Sequence, residues 1–418
     1  MEVERISKCR ICGNKNLKTV VDLGNQFLSG RFPLVGSPDP PKAPLMLVQC
    51  IGRGCCGLVQ LAHKIPSCEL YGDGYGYLSG TNQTMKNHLT GIADKAESLV
   101  KINKGDTILD IGSNDGTLLK AYNNFGLKVG MDASHFQKYY TGSYMVFIPG
   151  FFSASLFESW KPIKKPKIIT SIAMFYDLPD PNQFVADIKS ILHPDGIWIL
   201  EQTYLPEMIK KNAFDSICHE HLEYYALEQI KWLLDKHGFR ITGVDFNDTN
   251  GGSIQIVVCH EESTHRDISE TVDDILEIEK RQGMNYKIFD MRKINDIKNR
   301  LTTFIKKEKG DNKSFHLYGA STKGNVLLQY MGIGYELVSF AVDINSGKRG
   351  CWTPGSHIPI ISTELLKPDY YLVLPWHFRE GFIKQEHGYL KSGGKLIFPL
   401  PEPEIVSMEN DKIVVRQI

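Results

Sequence analysis

The pattern that most constrains the fold of this chain is a strand, a glycine turn and a helix within residues 107–122, TILDIGSNDGTLLKAY. The apolar run ends at Asp110, and Gly112 and Gly116 give the turn its conformational freedom before the helix begins. A second strand, LKVGMDAS, ends about twenty residues later at Asp132. This arrangement is typical of a nucleotide site whose second acidic residue binds the ribose hydroxyls.

The turn differs from the loops that bind dinucleotide phosphates. It does not have the spacing G-x-G-x-x-G, and Asp110 and Asp115 bring negative charge to it. Negative charge disfavours an anionic pyrophosphate at a helix start. These features suit a cationic nucleoside that carries no phosphate.

Strands and helices continue to alternate along the chain, which predicts a doubly wound parallel sheet. Further strands are read at IITSIAM and GIWILEQTYL, with a helix at residues 181–192 between them. The segments FRITGVDFND and GGSIQIVVCH are expected to form a hairpin at the edge of this sheet. Ligands of such sheets bind at the carboxyl ends of the strands.

Cysteines near the N-terminus have the spacing of metal ligands. Cys9 and Cys12 are separated by two residues, and the later pair consists of Cys50 and either Cys55 or Cys56. We favour Cys56, because it directly precedes the strand-like GLVQL. Four thiolates leave no coordination position for water, so a structural zinc ion in a zinc-ribbon-like domain is expected. A segment that binds no metal is the alternative.

Titratable side chains are concentrated in FDSICHEHLEYY, residues 214–225. Imidazole titrates near neutrality and a carboxyl group can orient it or tune its pKa, so the segment suits proton transfer. A polar turn with one structural histidine is the alternative. If the segment is extended, one face carries His219, His221 and Glu223, and the other carries Glu220, Leu222 and Tyr224.

A segment rich in tyrosine and glycine, residues 71–89, precedes a helix that we expect to end near Val100. Its glycines keep the backbone open and leave the tyrosine rings available for contacts. A ligand-binding loop and a linker between domains explain it equally well.

The last part of the chain is predicted to form a separate unit. Residues 262–309 are charged and have helical periodicity, which indicates a helical linker. A second α/β pattern follows, in which SFHLYGASTKGNVLLQY is a strand, a glycine loop and a helix. The loop offers backbone donors, hydroxyls and Lys323 at a helix start, which suits a diphosphate. An ordinary glycine turn with a solvated lysine is the alternative.

The composition indicates a soluble, cytoplasmic protein. Lys and Arg total 48, and Asp and Glu also total 48, so no net field attracts nucleic acid or an anionic membrane, and neither partner is expected. No apolar run reaches the roughly 18 residues of a membrane span, and the N-terminus has no apolar core of a signal peptide. The 9 cysteines are too few and too unevenly placed in 418 residues for a disulfide framework.

Taken in order, these motifs resemble S-adenosylmethionine-dependent C-methyltransferases that act on nucleotide-linked keto-deoxysugars in bacterial polysaccharide and antibiotic pathways. The resemblance spans essentially the whole chain and is carried by CRIC with the later cysteine pair, YGYLSGTNQTM, LDIGSNDGTLL, HEHLEYY, GGSIQI, YGASTKGN and PDYYLVLPWHF. It implies an α/β protein with three domains: a zinc-ribbon-like domain (residues 1–70), a class I methyltransferase sheet (71–262) and a C-terminal Rossmann-like domain that helps to hold the nucleotide sugar (263–418).

The resemblance also implies roles for single residues, with S-adenosylmethionine and structural zinc as cofactors. The implied metal ligands are Cys9, Cys12, Cys50 and Cys56. The implied cofactor-binding residues are Asp110, Gly112, Asn114, Gly116, Asp132 and Thr81. His221 is implied as the base with Glu220 beside it, and the other candidate catalytic residues are His219, Tyr224 and Tyr77. The candidate substrate-binding residues are Cys218, Tyr176, Ser321, Lys323 and Trp376.

Two positions depart from the antibiotic-sugar members of this family. Those members have a tyrosine before HEH where this chain has Cys218, so a phenol contact to the sugar is in doubt. They also have a histidine in a strand-end loop where this chain has Tyr176 or Asp177. The substrate therefore differs in sugar configuration or in nucleotide, whereas the base is retained.

The expected reaction is methyl transfer to a carbon, C-3, next to the ketone of a nucleotide-linked 4-keto-6-deoxysugar. His221 would remove a proton from this carbon, and Tyr77 or Tyr224 would hold the enolate oxygen. The alternatives are O- or N-methylation of a nucleotide sugar and a methyltransferase-like protein that only binds a ligand. The protein is expected to be a monomer or a weak homodimer.

Overall fold

The computed structural model describes most of the chain. It covers residues 2–70, 78–124, 126–142, 144–161, 164–268, 272–282, 289–362 and 367–418. The strands are β1 Glu4–Arg5, β2 Leu17–Phe27, β3 Lys42–Cys50, β4 Val59–Leu61, β5 His63–Lys64, β6 Thr107–Ile111, β7 Leu127–Asp132, β8 Met145–Pro149, β9 Pro166–Ile172, β10 Ile197–Thr203, β11 Glu223–Tyr224, β12 Phe239–Asn247, β13 Ser253–His260, β14 Phe315–Tyr318, β15 Phe340–Val342, β16 Ile360–Ile361, β17 Tyr370–Val373, β18 Lys395–Phe398, β19 Glu404–Glu409 and β20 Lys412–Gln417.

The α-helices lie mainly between the strands of the middle and last sheets. They are α1 Ser67–Leu70, α2 Gln83–Leu99, α3 Thr117–Ala121, α4 Ala154–Ser159, α5 Pro181–Ile191, α6 Leu205–Lys210, α7 Leu227–Lys236, α8 Val272–Arg281, α9 Met291–Gly310, α10 Thr322–Met331, α11 Arg379–Gln385 and α12 His387–Lys391. Among the described residues, no helix has both the length and the apolar character that a membrane span requires.

The middle sheet has the strand order β12-β13-β10-β9-β6-β7-β8. Strand β13 is antiparallel to both of its neighbours, and the strands from β10 to β8 are parallel. All five residues of β6 are buried, as is usual for a central strand that helices cover on both faces. This is the doubly wound sheet that the sequence predicted, and the predicted hairpin of β12 and β13 lies at its edge.

The last sheet repeats the α/β pattern in the order β16-β15-β14-β17-β18-β19-β20. Its first five strands are parallel, and β19 and β20 form an antiparallel hairpin. Helix α10 begins directly after the glycine loop that follows β14, and the Ser321 hydroxyl accepts the amide of Gly324 at 3.0 Å. A serine at this position satisfies an amide at the start of the helix and fixes where it begins.

The N-terminal sheet has the order β11-β4-β3-β2, so its edge strand comes from the HEHLEYY motif. Glu223 pairs with Gln60 and Tyr224 with Val59, antiparallel. Residues 219 and 220 form a turn, so the alternation of faces considered for an extended segment does not hold there. The end of the motif is therefore a strand of the N-terminal sheet. The turn at residues 219 and 220 lies outside that sheet.

The N-terminal domain also packs against the C-terminal domain. The amide of Phe27 donates to Oε1 of Gln329 at 2.7 Å, and Nδ2 of Asn325 donates to the Ser29 carbonyl at 2.7 Å. Both partners in the C-terminal domain lie on α10. These contacts hold the start of α10 next to the segment that follows β2.

Candidate functional site

A central cavity lies at the carboxyl ends of the parallel strands β6, β7 and β9, where the strand order of the middle sheet reverses. Ligands of doubly wound sheets bind at this position. Its wall combines the glycine turn after β6, the turn before β11 and the start of α10. The predicted site residues on this wall are Asp110, Gly112, Asn114, Asp132, Tyr176, Cys218, Glu220, His221 and Lys323.

Asp110 lies in β6 with its carboxylate buried at the cavity. The hydroxyl of Thr170 donates to Oδ1 at 2.6 Å. Burial raises the pKa of Asp110 to about 7, against the opposing effect of the Thr170 hydrogen bond, and the charge of Asp132 raises it further. A cationic ligand would offset this cost of burying a carboxylate, whereas an anionic ligand would increase it.

Asp132 ends β7 and organises the glycine turn. Its Oδ2 accepts the amide of Asn114 at 2.9 Å, and its Oδ1 accepts the amide of Ser134 at 2.8 Å. Burial raises the pKa of Asp132, and the two amides oppose that rise. The two hydrogen bonds thus fix the carboxylate at the end of β7, on the cavity wall.

The glycines of the turn allow backbone conformations that other residues rarely adopt. Gly112 and Gly116 both have a φ of +71°, which glycine adopts without strain. A Cβ on Gly112 would also stand 2.9 Å from Cγ of Met174. Gly116 lies at the start of α3 and is not part of the described cavity wall. Its contribution is to the shape of the turn.

The segment after residue 77 is tied to the glycine turn by two hydrogen bonds. The Ser79 amide donates to Oδ1 of Asn114 at 3.0 Å, and the Gly80 amide donates to Oδ2 of Asp115 at 2.9 Å. Thr81 is exposed, and its hydroxyl donates to the Leu78 carbonyl at 2.8 Å, so the structure places it off the described cavity wall. Tyr77, a predicted catalytic residue, lies outside the described residues.

His221 lies on the cavity wall with a defined tautomer. Its Nδ1 is 3.0 Å from the Ser216 carbonyl oxygen, which can only accept, so Nδ1 carries the proton and Nε2 carries the lone pair. The Tyr176 ring packs against the imidazole, with 4.2 Å between centroids. Burial, and next the charge of Lys323, hold the pKa of His221 well below its usual range. The imidazole is therefore neutral near pH 7.

Glu220 lies beside His221 and is buried. Burial raises its pKa, and hydrogen bonds from the Cys218 side chain and the Gly30 amide oppose that rise. Gly30 belongs to the N-terminal domain, so this domain reaches the cavity at the Glu220 carboxylate. Burial also raises the pKa of the Cys218 thiol, so this side chain is a neutral part of the wall.

The other two candidates of the HEHLEYY motif face away from the described cavity wall. His219 is fully buried, with Nε2 3.2 Å from the Ala43 carbonyl oxygen, and burial lowers its pKa to about 4. Tyr224 is buried in β11, in the core that the N-terminal sheet shares with the C-terminal domain. Both side chains hold the motif against the N-terminal domain.

Of the candidates in the C-terminal domain, Lys323 lies on the cavity wall, and Ser321 and Trp376 lie behind it. Ser321 caps α10. The indole of Trp376 donates to Oδ2 of the buried Asp215 at 2.8 Å. Sequence patterns do not distinguish a side chain that lines a cavity from one that supports its neighbour.

Glu201 also lines the cavity, although no sequence pattern had marked it as a candidate. Its Oε1 is 2.6 Å from Nε2 of His88, and its Oε2 accepts hydrogen bonds from the side-chain amides of Asn247 and Gln255. The available signal was a carboxylate directly after the apolar run at residues 197–200 of β10, a strand whose residues are all buried. A buried charge in a strand needs partners of this kind and points to a site.

The four cysteines of the predicted zinc site form a compact cluster. The sulfur atoms of Cys9, Cys12, Cys50 and Cys56 all lie within 4.8 Å of one another. Cys55 lies outside this cluster, and its thiol is 3.5 Å from the Cys50 carbonyl oxygen. Four thiol sulfurs at these separations fit a tetrahedral zinc ion with no open position.

The zinc-binding segment is joined directly to the HEHLEYY motif. Nε of Arg10, which lies between the first two cysteines, is 3.4 Å from Oε1 of Glu223, and both side chains are almost fully buried. Nη1 of Arg10 also donates to the Leu61 carbonyl at 2.8 Å. A buried ion pair of this kind fixes the relative position of its two segments, because breaking it leaves an unpaired charge.

Comparison with known proteins gives matches along most of the chain. Three family models match, described as a zinc binding domain (residues 9–71), a methyltransferase domain (residues 85–244) and a C-methyltransferase C-terminal domain (residues 248–401). The C-methyltransferase NovU of Streptomyces niveus is 31% identical over 422 residues, covering 98% of this chain and 99% of the relative.

Solved structures resemble smaller parts of the chain. A chain of the complex between the Haloferax volcanii Trm112 methyltransferase activator and a methyltransferase is 16% identical, with a TM-score of 0.36, covering 43% of this chain and 94% of that one. The YcgJ protein of Bacillus subtilis is 15% identical, with a TM-score of 0.32, covering 42% of this chain and 100% of that one.

The full-length relative and the three family models agree with the predicted combination of a zinc-binding domain, a class I methyltransferase sheet and a C-terminal α/β domain. The cofactors are S-adenosylmethionine and structural zinc, in line with the methyltransferase domain and the four-cysteine cluster. The chain belongs to the S-adenosylmethionine-dependent C-methyltransferase family.

Proposed function

We propose that this C-methyltransferase acts on C-3 of a nucleotide-linked 4-keto-6-deoxysugar, next to the ketone, and that His221 is its general base. The observation that carries the proposal is the tautomer of His221. Its Nδ1–H is engaged by the Ser216 carbonyl, and the side chain lies on the wall of the cavity that also contains Asp110 and Asp132. An imidazole held with its lone pair on Nε2 is prepared to accept a proton.

The donor groups around the glycine turn fit the cofactor. S-adenosylmethionine supplies an electrophilic methyl group when bound. Asp132 would bind the ribose hydroxyls, and the turn from Gly112 to Asn114 would let the cofactor approach the backbone. The buried carboxylates of Asp110 and Asp132 favour a positively charged ligand there.

The acidity of the substrate makes histidine a suitable base. A proton on a carbon next to a ketone can be removed by a positioned imidazole when the enolate is stabilised. His221 takes that proton on Nε2, and the electron pair of the broken C–H bond enters the enolate. The enolate carbon would then accept the methyl group that the cofactor supplies, and the C–C bond would form as the methyl–sulfur bond breaks and leaves its electron pair on sulfur. Burial keeps His221 neutral beforehand, which is the form that the step needs.

The N-terminal and C-terminal domains both contribute to the site. Gly30 of the N-terminal domain contacts Glu220, and Lys323 of the C-terminal domain lies on the same cavity wall. Proximity and alignment of the reacting groups contribute much of the rate in such a site. We expect the nucleotide to bind outside the methylation centre, where the C-terminal domain meets the cavity wall.

The test is methyl transfer together with deuterium exchange. The protein is incubated in D₂O with nucleotide-linked 4-keto-6-deoxysugars that differ in base and configuration, with and without S-adenosylmethionine. We expect wash-in of deuterium at the carbon next to the ketone and, with the cofactor, a methyl group at the same carbon. His221→Asn should lose both by about 10²–10⁴-fold while S-adenosylhomocysteine still binds.

A matched control is His260→Asn. His260 also bonds a backbone carbonyl, that of Leu192 at 3.2 Å, but it is not on the described cavity wall. It should keep the wild-type rate. Wash-in at the wild-type rate in His221→Asn would assign the base to another residue. A methyl group found on oxygen or nitrogen, without any wash-in, would favour the O- or N-methylation alternative.

A further inference from the structure

The cavity wall is acidic. Its carboxyl groups belong to Asp110, Asp132, Asp177, Glu201 and Glu220. Among the described residues of the wall, Lys323 is the one lysine or arginine. Such a wall suits a sulfonium cofactor and opposes a diphosphate, since two further negative charges would enter a space already lined by carboxylates. The charge on Lys323 is therefore better matched to a single negative charge that develops near the base.

Lys323 is held at the wall by parts of two domains. It lies in the first turn of α10, and its Nζ donates to the Asn250 carbonyl at 3.1 Å. Asn250 belongs to the turn before β13 and also lines the cavity. The motif YGASTKGN thus meets the residue directly before GGSIQI at this ammonium group, although the two segments are far apart in the chain.

A buried carboxylate helps Lys323 to stay protonated. Burial lowers the pKa of Lys323, and the negative charge of Asp215 is the main opposing influence. Asp215 is itself buried and accepts the indole N–H of Trp376. The Trp376–Asp215 pair lies behind the wall and supports the charge of the lysine in front of it.

Lys323 also acts on the base. Its charge lowers the pKa of His221, so the ammonium and the imidazole influence each other across the cavity. Tyr224, one of the phenols expected at the enolate oxygen, is buried in β11 and away from the described wall. Within the described wall, Lys323 is therefore the one positively charged donor, and its charge is felt by His221.

We propose that Lys323 is a catalytic residue that donates to the ketone oxygen of the substrate and stabilises the enolate formed when His221 removes the neighbouring proton. This inference rests on the proposed function. The C–H bond breaks, the proton goes to Nε2, and the electron pair enters the C–C–O system, so the new negative charge on oxygen faces the ammonium group. No oxidant or reductant is needed, and the charge is neutralised when the carbon accepts the methyl group.

The competing role for Lys323 is to anchor the diphosphate. The two roles predict different kinetics. A group that acts on the enolate lowers kcat and deuterium wash-in at saturating substrate, whereas a diphosphate anchor mainly raises KM and weakens binding of a nucleoside diphosphate.

The experiment compares Lys323→Met, Lys323→Arg and Lys211→Met in the full-length protein. Lys211 is the matched control: its Nζ donates to the Gly251 carbonyl at 2.8 Å in the same turn, but it is not on the described wall. We expect Lys323→Met to lose about 10²–10³-fold in kcat and in wash-in, as for removal of one oxyanion donor. Lys323→Arg should retain more of both, and Lys211→Met should match the wild type. The affinity for nucleoside diphosphates should not change in any variant.

Wild-type wash-in at saturating substrate in Lys323→Met would overturn the proposal. Loss of nucleoside diphosphate affinity with normal wash-in would assign the lysine to the diphosphate. Thermal melting and S-adenosylhomocysteine binding check that each variant is folded, and Lys323→Arg provides the test if Lys323→Met does not fold. Failure of the proposed function is a separate result, because the wild type itself would then show no wash-in with any keto-sugar.

Discussion

The backbone of Gly30 lies against the carboxylate of Glu220, so close that a Cβ atom on residue 30 would stand 2.3 Å from Oε1. Gly30 follows β2 and Glu220 lies in the turn before β11, so the contact joins residues that are 190 positions apart and places the N-terminal domain at the cavity. The φ of Gly30 lies outside the left-handed region, so a larger residue at position 30 is opposed by lack of space and not by backbone strain. Glycine is needed here because any side chain would displace the Glu220 carboxylate.

We therefore expect Gly30→Ala to lower kcat by about tenfold or more with little change in Tm, because the end of a side chain moves while the backbone does not. Gly381→Ala is the control, since a Cβ on Gly381 meets nothing within 4 Å. Enzyme assays and thermal melting of both variants check this. Full activity in Gly30→Ala would mean that the position of Glu220 does not matter for the reaction.

Asp132→Ala should weaken S-adenosylhomocysteine binding by tenfold or more. Charge-assisted hydrogen bonds are worth about 1.5–3 kcal/mol each, and the substitution also frees the amides of Asn114 and Ser134. Isothermal titration calorimetry gives the affinity. If it is unchanged, the ribose is bound elsewhere.

Cys56→Ser should release zinc and lower Tm, because the Cys56 thiol belongs to the four-sulfur cluster. Cys55→Ser should do neither, because Cys55 is not in that cluster among the described residues. Metal analysis of freshly purified variants decides the point. Zinc loss in Cys55→Ser would correct the ligand set. Absence of zinc from the wild type would remove the site.

His219 should make the protein less stable in acid. Its pKa is lowered from 6.5 to about 4 by burial, so the unfolded chain takes up a proton below pH 6.5 and the folded chain does not until about pH 4. Stability from this group is complete above pH 6.5 and falls towards pH 4, by at most about 3 kcal/mol.

His219→Gln keeps an N–H for the Ala43 carbonyl and removes the titration. Its Tm should therefore fall less than that of the wild type between pH 7.5 and pH 5. The difference between the two proteins isolates this group from the cysteines, which also bind protons in acid. Parallel Tm curves would show that His219 is not the group responsible.

Local patterns predicted much of the fold and some of the site. The strand, turn and helix from Thr107 to Ala121 could be read from the sequence because their signals are close together in the chain. His221 could be nominated because the segment around it, HEHLEYY, is one of the motifs that carry the family resemblance. The choice between Cys55 and Cys56 could not be settled by spacing, since adjacent residues differ by one position in the chain and mainly in the direction of their side chains.

The remaining features depend on contacts between distant residues. The 2-residue strand β11 carries no periodicity, and its partners lie in the N-terminal domain. The His88–Glu201 contact joins residues 113 positions apart. The support of Lys323 by Asn250 and Asp215 depends on how three elements pack. Such relationships follow from tertiary packing, which periodicity and propensity do not encode.

The position of strand β11 limits where the chain can be truncated or joined to a relative in a chimaera. An isolated fragment of residues 1–70 would expose β4 as an open edge, with backbone groups available to pair with another copy. A fragment that begins after residue 70 would keep the HEHLEYY motif but lose the surface on which it is shaped. The exchangeable unit is therefore discontinuous in the chain. A chimaera that takes its zinc-binding domain from a relative should take residues 214–225 from the same relative.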